Sequence, residues 1–246
     1  MMSRVTKYNL FHKDANIQKR IVDFNNFTYG NLLVLISQYV SSNSKILDLG
    51  CGVGTIDFYL SNKCNYITCV DYSDKAIEIA KVNAELLGVS KNLFFLQKKF
   101  PEQIIPGKYD IVLCIEFLEH IRDDKLALAN IKNLLRKNGV VIFSVPSINS
   151  PLYKLRLAKQ HDERVGHLRR YSVETLKTLI KMSNLKIIKI ERKESVLRNL
   201  LFSFSIFNII IKIANRFSIL SKILTYIDNM LSIFGEGQII IVAKKV

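Results

Sequence analysis

The stretch Lys45-Ile46-Leu47-Asp48-Leu49-Gly50-Cys51-Gly52-Val53-Gly54-Thr55 constrains this chain more than any other. Lys45–Leu49 is short and apolar with an acid at its end, the pattern of a buried parallel strand. Three glycines then fall at alternate positions. With no Cβ in the way, a glycine run lets the backbone turn sharply and approach a ligand closely. Thr55–Leu60 follows as a helix whose first N–H groups face that ligand. A second apolar run, Tyr66–Val70, ends in Asp71, seventeen residues past Gly54. A carboxylate at the end of a second strand is the usual partner of ribose hydroxyls. A dinucleotide loop reads G-x-G-x-x-G. Here the spacing is G-x-G-x-G behind Asp48, and an acid at that point repels a pyrophosphate but suits a cationic ligand. The competing reading is a structural strand–turn–helix in which the glycines serve packing alone.

The rest of the chain alternates strands and helices. Ser73 caps a helix from Asp74 to about Leu87, closed by Gly88. Strands are predicted at Asn92–Gln97 and Tyr109–Ile115, and Asp123 caps a helix that runs to Leu135 and stops at Asn138-Gly139. Val140–Val145 is a strand ending at Pro146, Ser147–Arg170 a long non-periodic segment, and Val173–Met182 a helix behind Ser172. Leu185–Ile190 and Gln238–Lys244 complete the strands. Such alternation predicts an α/β fold, a parallel sheet with helices on both faces and a ligand at the carboxyl ends of the strands. Ahead of this domain, residues 1–44 are expected to form an N-terminal helical extension, with 1–16 loose and Ile17–Val40 helical apart from an interruption near Gly30.

The run Asp48-Leu49-Gly50-Cys51-Gly52-Val53-Gly54 resembles motif I of Rossmann-like, class I S-adenosylmethionine (SAM)-dependent methyltransferases. SAM carries an ammonium and a sulfonium and no phosphate, so the resemblance agrees with the electrostatic argument. Cys114-Ile115-Glu116-Phe117-Leu118-Glu119-His120 resembles the C-x-E-x-L-E-H motif of methyltransferases like those of ubiquinone biosynthesis, and Asp110 resembles the F/Y-D-x-V entry to that strand. The resemblance implies a three-layer fold around a mostly parallel seven-stranded sheet with an antiparallel last strand. It implies SAM as cofactor. Asp48, Gly50 and Gly52 would hold its methionine part from one side and the backbone of Cys114 and Ile115 from the other, with Cys51, Gly54 and Tyr72 in the same cradle and Asp71 on the ribose. Where many relatives have an Asp for the adenine amino group, this chain has Gln97-Lys98-Lys99, so Gln97 or the Lys98–Lys99 backbone takes that contact.

For catalysis the candidates are His120 and His167, with a structural role for Glu119 and His120 as the plain alternative. Acceptor contacts are placed in His161-Asp162-Glu163-Arg164-Val165-Gly166-His167-Leu168-Arg169-Arg170-Tyr171-Ser172, whose G-H-x-R-R-Y-S part resembles a segment of lipid- and sugar-pathway methyltransferases. Two histidines with Arg169, Arg170 and Tyr171 can bind an anion bidentately and take a proton from a hydroxyl. The same residues can equally clamp loop carbonyls and fill a core. A metal set from His161, Asp162, Glu163 and His167 is weighed and set aside as ordinary loop polarity, so no metal is expected.

Charge and the insertion bear on partners. Residues 1–123 hold 14 Lys/Arg against 13 Asp/Glu, and residues 124–246 hold 22 against 8, so the positive charge belongs to the acceptor half. That suits an anionic acceptor, nucleic acid or an anionic membrane surface, against a compositional bias toward lysine. The last two strands of this family normally form a hairpin, so residues 195–235 read as a helical insertion. Its apolar run Asn199–Ile211 has thirteen residues, too few to span a bilayer, and Lys212, Arg216 and Lys222 interrupt any extension. Phe204, Phe207, Ile211, Phe217, Leu220 and Leu224 are expected to share one apolar face of a basic amphipathic helix, giving peripheral membrane contact through 199–224, a pocket cover or a dimer interface.

Cys51, Cys64, Cys69 and Cys114 form no C-x-x-C pair, which predicts reduced residues in a cytoplasmic setting. There is no C-x-x-x-C-x-x-C run for a radical-SAM cluster, and no N-P-P-Y/F motif for amide or base amino nitrogens. The sequence therefore predicts transfer of a methyl group from SAM to a small-molecule acceptor, an oxygen on a hydrophobic or anionic quinone-, lipid- or sugar-linked substrate, by a cytoplasmic protein with peripheral contact at the membrane. An RNA-modifying methyltransferase and a non-catalytic SAM-binding scaffold are the alternatives.

Overall fold

The computed structural model describes residues 18–64 and 66–246. Seven strands form one sheet: β1 (Lys45–Leu49), β2 (Tyr66–Asp71), β3 (Leu93–Gln97), β4 (Tyr109–Ile115), β5 (Leu135–Pro146), β6 (Leu185–Lys193) and β7 (Gln238–Lys245). Their spatial order is β3-β2-β1-β4-β5-β7-β6. The first five pair in parallel, and β7 runs antiparallel to both β5 and β6. This is the three-layer arrangement with an antiparallel last strand that the sequence predicts. Order reverses at β1 and β4, so the crevice at their carboxyl ends is where such sheets bind ligands.

The helices close both faces. On one side lie α1 (Gly30–Ser37), α2 (Thr55–Leu60) and α3 (Asp74–Leu86), on the other α4 (Asp124–Leu134) and α7 (Val173–Met182). Each face has its own core. Leu33, Ile36, Phe58, Ile67 and Leu113 are fully buried in one, and Leu47, Val112, Leu128, Phe143 and Leu176 in the other. The two sets come from alternate positions of the same strands, as the two-residue period of a strand requires. Capping follows the predicted residues: the Ser73, Asp123 and Ser172 side chains accept from the amides of Ala76, Leu126 and Thr175.

Four segments differ from the sequence expectation. Residues 18–29 form turns, and helix begins only at Gly30. The Asn26 side chain accepts from the amides of Thr28 and Tyr29, offering the backbone an alternative to helix, and a Cβ at Gly30 would lie 2.4 Å from the Phe24 carbonyl. The expected loose segment of residues 1–16 lies outside the described residues. β5 begins at Leu135, because Leu135 pairs with Tyr109 before an irregularity, and the Lys245 ammonium closes the carbonyls of Lys132 and Leu135. The segment after β5 contains α5 (Pro151–Lys154), started by a Ser150 cap and Pro at its first turn, and α6 (Lys159–Val165). The insertion is broken into α8 (Val196–Ser203), α9 (Asn208–Arg216) and α10 (Ser218–Met230).

The insertion leaves the sheet at the carboxyl end of β6 and returns at the start of β7. Both points lie at the edge that carries the glycine loop, since β6 runs parallel to β5. A buried anchor holds it there. Asp228 of α10 accepts from the amides of Ser195 and Arg198 at 2.9 Å each, doing the work of an N-cap for α8. Arg198, itself buried, pairs with Asp228 at 3.7 Å, bonds Thr225 and reaches the carbonyl of Phe27.

Candidate cofactor and acceptor site

The glycine loop is built as its spacing implies. Gly50, Gly52 and Gly54 all have left-handed backbone, φ 80°, 55° and 84°. A Cβ on Gly50 would lie 2.5 Å from the Phe117 ring, and one on Gly54 would lie 2.7 Å from the Phe58 ring. The amides of Gly50 and Cys51 both donate to the carbonyl of Val70, which ties the loop to β2. Asp71, at the end of β2, accepts from the amides of Gly52 (2.9 Å) and Ser73 (2.8 Å), one on each oxygen. Its carboxylate is therefore fixed in orientation beside the loop. Beyond it the Lys98 amide donates to the Asp71 carbonyl, and the Gln97 side-chain nitrogen lies 3.5 Å from the Tyr72 carbonyl. That brings Gln97, Lys98 and Tyr72 together beside Asp71. Cys114 and Ile115 end β4 on the other side of the loop.

Three carboxyls gather under this loop. Asp48 is 3% exposed and Asp57, on α2, fully buried. Burial and then the charge of Asp71 push Asp48 up to about 7, with Asp57 acting in the opposite direction. Burial and the Asp48 charge hold Asp57 well above the usual carboxylate range. Asp48 Oδ1 and both Asp57 oxygens meet no amide or hydroxyl donor among the described residues, which leaves each other and the Cys69 thiol as their hydrogen-bond partners. A cradle floored by buried acids, whose glycine amides are already taken by Val70, Asp71 and Cys51, fits a cationic ligand and disfavours a polyphosphate. Asp57 was not singled out in the sequence. Its only signal is an acid facing inward on a helix that is otherwise apolar.

The acceptor side lies at the end of β4. The segment 161–171 folds over it: the Leu168 amide donates to the Glu119 carbonyl, His120 Nδ1 lies 3.2 Å from the Gly166 carbonyl, and Ser147 bridges to Tyr171. His161, His167 and His120 come together, with ring centroids 5.1 Å apart for His120–His167 and 6.1 Å for His161–His167. His167 Nδ1 is 2.9 Å from Asp162 Oδ1, and its Nε2 faces Glu119 Oε1 at 3.7 Å. Burial alone would raise Asp162, but hydrogen bonds from His167 and Arg170 hold it near 2. Burial and then Arg164 lower His161 to about 4, so it is neutral at pH 7.

The remaining predicted acceptor residues are committed to internal partners. Arg170 grips Asp162 with two nitrogens, at 2.6 and 2.8 Å. Arg169 bonds Asp124 and the Arg122 carbonyl, and the buried Tyr171 hydroxyl bonds Asp124 at 3.0 Å. Burial and Asp124 push that phenol up. Arg169 and Tyr171 lock the segment onto the start of α4, Arg170 ties Asp162 to the Ser147 carbonyl, and Asp162 orients His167.

Glu119 is fully buried and neither of its oxygens has a hydrogen-bond partner among the described residues. Burial and the Glu116 charge raise it well above the usual range. The metal set weighed from sequence does not assemble as such. Instead Glu119, His120 and His167 bring ligand atoms within 4.8 Å of one another, an arrangement able to hold a divalent cation. Two further residues stand here that sequence reasoning passed over. Glu116 and Glu194 both have left-handed backbone, φ 49° and 58°, at the carboxyl edge of the sheet, where stored strain collects at working sites. Glu116 accepts from Ser144 (2.6 Å) and Gln238 (3.2 Å), and burial with the Glu116 charge raises Glu194 to about 8. Glu116 lay in plain view inside the C-x-E-x-L-E-H run. Glu194 carried no local signal.

Comparison with known proteins follows this geometry. The profile of the methyltransferase-domain family matches residues 40–192, more than half of the chain. Among curated relatives, the ubiquinone biosynthesis O-methyltransferase of Thiobacillus denitrificans is 29% identical over 114 residues, 46% of this chain and 49% of that one. The mitochondrial ubiquinone biosynthesis O-methyltransferase of Schizosaccharomyces pombe is 33% identical over 107 residues, 43% of this chain and 39% of that one. The chain thus spans about half the length, or less, of the curated relatives it matches. Among solved structures, the N-methyltransferase NodS of Bradyrhizobium japonicum, in complex with S-adenosyl-L-homocysteine (SAH), shares the fold at 16% identity. The match has a TM-score of 0.63 and covers 97% of this chain and 98% of that one. The glycine cradle, the fixed Asp71 and the family match agree, and this chain belongs to the methyltransferase-domain family, class I, with SAM as its cofactor.

Proposed function

We propose that this protein transfers a methyl group from SAM to an oxygen of a small hydrophobic or anionic acceptor. The observation that carries the reading is the pairing of a cation-suited cradle at Asp48 and Asp71 with an oriented histidine, His167, across the end of β4. The O-methyltransferase relatives support oxygen as the acceptor atom. When bound, SAM supplies an electrophilic methyl group on a sulfonium.

The chain's own residues then have three tasks. Asp71 fixes the ribose end through a carboxylate already aligned by the Gly52 and Ser73 amides. The acids under the loop favour the cationic form of the ligand. His167 takes the proton that the acceptor hydroxyl loses as its oxygen attacks the methyl carbon. Asp162 positions it by accepting at Nδ1, which leaves Nε2, 3.7 Å from Glu119 Oε1, as the nitrogen that takes the proton. Alignment of the two reacting atoms supplies most of the rate effect, so the base adds a factor of roughly 10²–10⁴.

The test is turnover of labelled SAM on fractionated extract, with lipids and phenols separated from RNA. Label should enter the small-molecule or lipid fraction. His167→Ala should lower kcat by roughly 10²–10⁴ and leave SAH affinity unchanged. Label confined to RNA, or a His167→Ala enzyme with full kcat, contradicts the reading.

A further inference from the structure

The insertion turns inward much of the apolar face that the sequence offers for membrane, pocket or dimer contact, and it carries a second face outside. Phe207, Ile211, Leu220 and Leu224 pack with Leu201 and Ala214 onto Phe27 in a small core of their own. Phe217, grouped with these residues on one face from sequence, is 56% exposed instead. It belongs to an outward stripe of Ile206, Ile210, Ile213 and Phe217, spaced by four, three and four residues. On α10, Ile219, Ile223, Tyr226 and Met230 repeat that spacing and are also exposed. The polar groups Ser221, Asp228 and Arg198 lie inside. A surface helix of a globular protein normally places its polar residues outward, and an exposed apolar patch of this extent marks an interaction surface.

The charges on these helices identify the occupant. Lys212, Arg216 and Lys222 are all exposed on α9 and α10. Asp228, the sole acid of residues 195–235, is buried against Arg198. The outward face is therefore apolar and uniformly cationic. A second copy of the same face would bring like charges together across a two-fold axis. An anionic bilayer satisfies both features at once. Neither helix crosses it singly, and α8 with α9 reach the length and composition of a span only as a pair bent by 118°. At about 1.5 Å per residue α9 and α10 are roughly 13 and 20 Å long, against a hydrocarbon core of about 30 Å, and no single helix among the described residues is long and apolar enough to span.

We propose that the outward face of α9 and α10 docks this protein onto an anionic lipid bilayer, with the helices lying in the interface. Because the insertion joins the sheet at the edge that carries the glycine loop, docking sets the site mouth near the membrane surface. This goes beyond the acceptor assignment and does not depend on it, since its readout is vesicle binding rather than turnover.

The experiment is sedimentation of the full chain with vesicles of mixed phosphatidylglycerol and phosphatidylcholine, beside phosphatidylcholine alone. Two variants accompany it: Ile213→Asp with Ile223→Asp, and Lys212→Glu with Arg216→Glu and Lys222→Glu. All five positions are exposed, and an SAH titration verifies that each variant is folded. Wild type should pellet with the anionic vesicles, and binding should fall roughly tenfold or more on neutral vesicles, in either variant and at high salt. Wild type left in the supernatant with anionic vesicles overturns the proposal. So does a variant that binds as wild type, or a dimer that the double aspartate variant dissociates while vesicle binding is absent.

Discussion

Around the glycine loop the chain buries charge and bares its backbone. In the insertion it bares apolar side chains and buries one ion pair. Under the loop, Asp48 Oδ1 and both Asp57 oxygens sit in the core without an amide or hydroxyl donor among the described residues, and left-handed glycines bring backbone free of side chains to the crevice. In the insertion, isoleucines stand in solvent while Arg198 and Asp228 are buried together. Each inversion of the usual rule locates a surface that something else completes. The loop is completed by a small cation, and so it is made of backbone and acid. The insertion needs an anchor that keeps two short helices in place while their outer face stays apolar, and Asp228 provides it by holding the start of α8 from the third helix.

The sharpest way to break this contrast is at the anchor. Asp228→Ala leaves Arg198 buried without its carboxylate and removes the acceptors at the start of α8. It should lower stability by about 3–5 kcal/mol in chemical denaturation. If the loss is under about 1 kcal/mol, the ion pair is not what holds the insertion. Next comes Gly50→Ala. The left-handed backbone costs about 1–2 kcal/mol for any other residue, and the new Cβ meets the Phe117 ring. SAH affinity should fall about tenfold or more in calorimetry, and an unchanged affinity would mean that the loop backbone does not approach the ligand.

Asp48 gives a pH signature. Its carboxyl is raised to about 7 from an ordinary 3.8, so the free folded protein holds that proton more tightly than the unfolded chain does. The stability it contributes is full below the ordinary value and is lost as pH rises through about 7. SAM, a cation, favours the ionised form, so its affinity should rise over the same interval. Asp48→Asn should flatten both profiles and, above neutrality, raise the melting temperature of the free protein while weakening SAM. A pH-independent SAM affinity in the wild type would remove Asp48 from the electrostatic account. The smallest effect belongs to the outer face. Ile223→Asp should change stability by no more than about 0.5 kcal/mol, and a larger loss would show that the stripe is packed rather than waiting for a partner.

Sequence revealed most where the signal is local. β1, α2, β4 and α7 begin and end at the predicted residues, because an apolar run bounded by a glycine loop or a hydroxyl cap is written in consecutive positions. The left-handed glycine loop was legible for the same reason. Long-range geometry was not. Arg170 and Asp162 stand eight residues apart, yet only the folded turn makes them a bidentate pair instead of a grip for an anion. Asp57 and Glu194 owe their character to burial beside other acids brought in by separate elements. The insertion shows a third limit. Apolar residues that recur on two faces of a helix give one periodicity but two destinations, and only packing tells Ile211 from Ile213.

The central claim is that Asp71, aligned by two amides, holds the ribose of a SAM-type ligand above a glycine cradle. Calorimetric titration of wild type and Asp71→Ala with SAH tests it most directly. The account predicts micromolar binding by the wild type and a loss of roughly 10- to 100-fold in the variant, the value of a charge-assisted hydrogen-bond pair. No heat of binding in the wild type, or equal affinity in the two proteins, would contradict it.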